Sequence, residues 1–96
     1  MPEPDAHHLL LYEYVPDMAE CRTPFREAHL ARIRDYIDTG RITMAGGFGD
    51  PVSGGAIVFR GVDAGDVEEF ARTDAYTQAG LVVSWRVEPL TLLPYP

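Results

Sequence analysis

The chain has 96 residues, enough for one domain around a single modest core. It carries 15 acidic residues against 8 basic ones, a formal net charge of −7, and all the basic residues are Arg. This balance excludes a basic nucleic-acid footprint and speaks against binding to an anionic membrane; the lack of Lys also excludes Schiff-base and P-loop chemistry. Cys21 is the lone cysteine, so neither an internal disulfide nor a thiolate metal cluster is available. The apolar run from Leu9 to Tyr12 is too short for a membrane span or a signal-peptide core. The expectation is an acidic globular protein of a reducing, cytoplasmic setting, small enough to gain from a partner subunit.

Residues 1–6 read as a loose tail, with one domain following. His7 to Val15 is predicted as a strand, with Leu9, Leu11 and Val15 on one face and Leu10, Tyr12 and Tyr14 on the other. Both faces are apolar, which suits a strand covered on both sides. The chain has helices for only one sheet face, and a second copy is the simplest cover for the other. Pro16 to Arg22 reads as a polar connection. Thr23 then looks like a helix N-cap with Pro24 at the first helical position. Phe25, His29, Ile33 and Ile37 step by four, with Leu30 and Tyr36 alongside, and predict a helix to Thr39 that Gly40 stops.

A short strand, Arg41–Gly46, precedes a glycine-rich connection over 47–55 and a further strand, Ala56–Arg60. Asp63 is a plausible N-cap for a helix over Ala64–Arg72 that buries Val67, Phe70 and Ala71. Asp74 starts a short turn through Tyr76 to Ala79. The last strand runs from Leu81 to Val87, with Val83, Trp85 and Val87 on one face, and Pro89 ends regular pairing. An apolar tail follows, with Leu90, Leu92, Leu93 and Tyr95. The order βαββαβ, under the right-handed crossover rule, folds into a ferredoxin-like α+β domain: an antiparallel sheet with two helices on one face.

His29 is the residue most open to chemistry. On an apolar helix stripe it is either a packed histidine bonded to a neighbour or a proton-transfer group. Arg26, one turn before it, either receives an anion or solvates the helix. Asp74 either caps its turn or accepts the N–H of a histidine, fixing its tautomer. Gly46 either admits a ligand to the backbone or serves a hairpin. His7 and His8 point to opposite faces and make a poor metal pair.

Several stretches together resemble the YciI-like (YCII-related) family: Arg26-Glu27-Ala28-His29-Leu30, Gly40 to Gly46, Asp74-Ala75-Tyr76, Ala79-Gly80-Leu81 and Val87-Glu88-Pro89-Leu90. The resemblance implies a ferredoxin-like fold that pairs through its sheet faces into a dimeric α+β barrel. It implies a His–Asp pair in a pocket, falling here on His29 and Asp74, and relatives include an enzyme that removes HCl from a chlorinated hydroxyquinone-type metabolite. Gly47 stands where the family often has Pro, and Ala75 where it often has Pro.

The combined expectation is a homodimeric enzyme of lyase or isomerase type acting on a small organic molecule. His29 would be the general acid/base and Asp74 its orienting partner. Arg26 and the backbone near Gly46 would face developing oxyanion charge, and Tyr12, Phe48 and Tyr76 would line the pocket. The reading calls for no metal and no cofactor. The alternative is a non-catalytic ligand-binding or accessory module on the same scaffold.

Overall fold

The computed structural model describes residues 6–93. Strand β1 (His7–Tyr14) has apolar side chains on both faces, and it lies inside the sheet rather than at a margin. The sheet order is β2 (Ile42–Phe48), β3 (Gly54–Arg60), β1, β4 (Val82–Leu90), with every neighbouring pair antiparallel. A short helix α1 (Met18–Cys21) leads into α2 (Thr23–Asp38), and α3 (Ala64–Thr73) is followed by the single turn α4 (Ala75–Gln78). This is the expected α+β architecture of ferredoxin-like type.

One sheet face carries the core. Leu10, Tyr12 and Tyr14 of β1 and Ile57 and Phe59 of β3 pack against Met18, Ile33, Val67, Phe70 and Tyr76 from the helices. Phe59 and Phe70 meet edge to face at 5.1 Å, and Tyr36 closes on both rings. Fully burying one such apolar side chain contributes about 1.5–3 kcal/mol. The opposite face presents Leu9, Leu11, Ala56 and Val58, half-buried, with Met44 and Phe48 exposed beside them. Among the described residues, no helix covers that face.

Four expectations need correction. Thr23 is the first residue of α2 and not its cap; Arg22 takes the cap position without a side-chain bond. The reason is α1, which the polar look of residues 16–22 conceals: Arg22 N–H donates to Met18 and Phe25 N–H to Arg22, so the two helices follow each other directly. Strand β2 runs on through Gly47 and Phe48, shortening the connection, because these residues pair with Gly55 and Gly54. Pro89 does not end pairing; it sits opposite His8 in β4, an edge strand, where a missing amide hydrogen is tolerated. Val83 leaves the face of Trp85 and Val87 at a bulge, where Tyr14 opposes Val82 and Glu13 opposes Ser84, and it is 59% exposed.

Of the expected tail, residues 1–5 lie outside the described residues, and Ala6 is tied by a hydrogen bond from Gly61 N–H. Of the apolar C-terminal residues, Leu90 ends β4, Leu92 and Leu93 are exposed, and Tyr95 lies outside the described residues. No helix among the described residues is long and apolar enough to cross a membrane.

Candidate active site

The site begins with Asp74. It stands between α3 and α4, is 1% exposed, and caps α4 by accepting the Tyr76 N–H at 3.1 Å. A carboxylate removed from water to this degree is costly unless its oxygens are filled. Two further donors fill them. Tyr12 O–H donates to Oδ2 at 2.7 Å, reaching across from β1. His29 Nδ1 lies 2.8 and 2.9 Å from the two carboxylate oxygens. The two readings of Asp74, cap and histidine partner, are therefore both realised by one side chain.

An acceptor-only carboxylate at Nδ1 requires that nitrogen to carry the hydrogen. Nε2 is then the ring nitrogen left for the cavity that His29 lines. The imidazole, 7% exposed, stacks on the Tyr76 ring at 3.9 Å with the planes 12° apart. Tyr14 meets Tyr76 edge-on at 5.9 Å. The ring is thus held in plane by stacking and in rotation by Asp74.

The cavity has a volume of about 320 Å³ and lies between α2 and the β2–β3 pair. Arg26, Leu30 and Ile33 of α2 form one wall with His29. Ala45, Gly46 and Gly47 of β2 and Gly55 and Ile57 of β3 form the other, and Tyr14 and Tyr76 close the end. The gap opens on this side because β2 is an edge strand and, of its residues, only Ile42 is buried. Gly55 is needed here: a Cβ at this position would run into the Tyr14 hydroxyl. Burial pushes the phenols of Tyr12 and Tyr14 well above their ordinary range, helped for Tyr12 by the Asp74 charge and for Tyr14 by Tyr76. Tyr76 is also raised by burial, against the pull of the Arg22 and Arg26 guanidiniums.

Of the residues singled out from the sequence, His29, Asp74, Arg26, Gly46 and Tyr76 come together. Tyr12 and Phe48 do not line this cavity. Tyr12 is buried behind the dyad because even positions of β1 face the core. Phe48 pairs with Gly54 on the opposite sheet face, where its ring occupies the space a Gly54 side chain would need. Arg22, Arg34 and Tyr14 are cavity residues that the sequence reading passed over. Arg22 stands four before Arg26, a helical spacing hidden by placing the helix start at Pro24.

The model of the YCII-related domain matches residues 6–91. The chain belongs to the YCII-related domain family. No curated protein sequence matches it. Among solved structures, it is similar to 5-chloro-2-hydroxyhydroquinone dehydrochlorinase (TftG) from Burkholderia phenoliruptrix, in complex with 2,5-dihydroxybenzoquinone. That likeness has a TM-score of 0.75 at 22% identity, and covers 88% of this chain and 93% of the other. It shows that this YCII-related chain shares that protein's fold.

Proposed function

We propose that this YCII-related protein is an enzyme of lyase or isomerase type, with His29 as general acid/base and Asp74 as its orienting partner. The carrying observation is the doubly contacted His29–Asp74 pair, its carboxylate also held by Tyr12 and Tyr76, set beside the cavity between α2 and the β2–β3 pair. Nε2 takes a proton from a carbon next to a carbonyl. The imidazolium that forms is stabilised by the Asp74 carboxylate, while the backbone near Gly46 faces the oxygen on which charge develops and Arg26 holds the substrate. In an elimination, the C–H electrons form the new double bond and the leaving group departs with its electron pair. In an isomerisation, Nε2 returns the proton to another carbon. The dehydrochlorinase likeness supports the first outcome and a small hydroxylated ring as substrate.

The same reading takes the protein as a homodimer joined through the open sheet face, supported by the apolar Leu9, Leu11, Val58, Met44 and Phe48 there.

The test is a screen of wild type and His29→Ala on activated cyclic ketones and halogenated quinones. Wild type is expected to turn over at least one, and His29→Ala to lose about 10²–10⁴-fold in rate. Equal turnover by both proteins removes His29 from the chemistry. Binding without turnover by wild type points to the ligand-binding module instead.

A further inference from the structure

We propose that the cavity recognises an ionised carboxylate on its ligand through Arg22 and Arg26, which makes the substrate a small, single-ring organic acid. This deepens the acid/base reading and rests on it for which end of the ligand reacts.

In a chain of net charge −7, no Asp or Glu lines the cavity, whereas Arg22, Arg26 and Arg34 all do. Asp74 is kept behind the His29 ring, almost fully buried. The arginines elsewhere are largely occupied. Arg72 pairs with Glu69 and Arg86 with Glu88, while Arg32 and Arg41 lie over the rings of Phe70 and Tyr36. Arg34 pairs with Glu27 at 2.9 Å. Among the described residues, Arg22 and Arg26 pair with no carboxylate, and both lie close enough to the Tyr76 hydroxyl to oppose the effect of its burial.

Their placement brings positive charges together. They stand at the cap and in the first turn of the 16-residue α2, which has no acidic residue in that turn and no side-chain cap. The positive end of the helix dipole therefore adds to two cations. An incoming carboxylate relieves all three together, and planar guanidiniums match its two oxygens. His29, nearly buried and bonded through Nδ1 to Asp74, lines the same cavity, so a ligand held by the two arginines lies beside the ring assigned to proton transfer. A volume near the lower end for small-molecule sites, walled by Tyr14, Tyr76, Leu30 and Ile57, suits one ring better than two.

Calorimetric titration with 2,5-dihydroxybenzoate and its neutral amide, 2,5-dihydroxybenzamide, tests this. Wild type is expected to bind the carboxylate at least about tenfold more tightly, with the preference shrinking as salt rises. Arg22→Gln and Arg26→Gln are each expected to lose most of that preference. His29→Asn is expected to keep it, since recognition and proton transfer are separate. Arg26→Gln should melt no lower than wild type, because it removes a cation from the positive end of α2, so loss of preference cannot be ascribed to unfolding. Equal affinity for the two probes, binding of neither, or an undiminished preference in both Arg variants overturns the proposal. Retention of turnover by His29→Ala together with a carboxylate preference overturns only the acid/base reading.

Discussion

Asp74 does two jobs with one carboxylate, capping the start of α4 and holding His29. Its environment makes Tyr12 a positioning residue. Tyr12→Phe takes away one of three donors to a buried carboxylate and is expected to cost about 1–3 kcal/mol, read from urea unfolding. The same tyrosines give the protein an alkaline limit. Folded Tyr12, Tyr14 and Tyr76 hold their protons to higher pH than in the unfolded chain, because burial disfavours the phenolate. Their contribution is complete below the unfolded value of about 10 and is lost as pH rises above it, since the unfolded state then binds fewer protons. Unfolding free energy is therefore expected to fall with pH above about 10, less steeply in Tyr12→Phe. An unchanged slope in that variant would remove Tyr12 as a source. His29 and Asp74 were legible as candidates from the sequence, but 45 positions separate them and only the fold brings them to 2.8 Å. Tyr12 was legible as polar and aromatic; that its hydroxyl serves Asp74 depends on which face of β1 turns inward.

At the scale of elements, paired glycines on β3 shape both faces of the sheet. Gly55 lies under the Tyr14 hydroxyl and Gly54 under the Phe48 ring. Gly55→Ala is expected to cost about 1–3 kcal/mol by overpacking and to disturb the cavity end, measured by thermal melting beside ligand titration. Gly46→Ala should be mild by comparison, because no atom lies within 4 Å of where its Cβ would stand. The helix α3 was legible in detail: Asp63 caps it, accepting the Asp66 N–H at 2.9 Å, and Val67, Phe70 and Ala71 are buried as their spacing predicts. The start of α2 was not. Pro24 is a sound helix-start signal, but α1 supplies the preceding turn, and its four residues are too few to show a period. Strand β2 was read short for a similar reason. Glycine is a poor strand former, and pairing with β3 overrides that preference.

For the whole molecule, the two-sided apolarity of β1 was the strongest signal, and it is answered by a central position with the helices on one face only. In the dimer reading, Leu11→Arg places a charge in the middle of the joined faces while leaving the helix-side core untouched. Light scattering is expected to give twice 10.7 kDa for wild type and the single mass for the variant. A wild-type monomer at micromolar concentration would sink the pairing. The outer margin of β4 has a further effect on solution behaviour. Pro89 offers no amide hydrogen, and Arg86 and Glu88 stand exposed nearby. A foreign strand approaching that margin meets a missing rung and fixed charges, so fibril-like growth by strand addition is discouraged there. Association is steered away from the β4 edge, and concentrated solutions of this acidic protein are protected on that side from open-ended assembly.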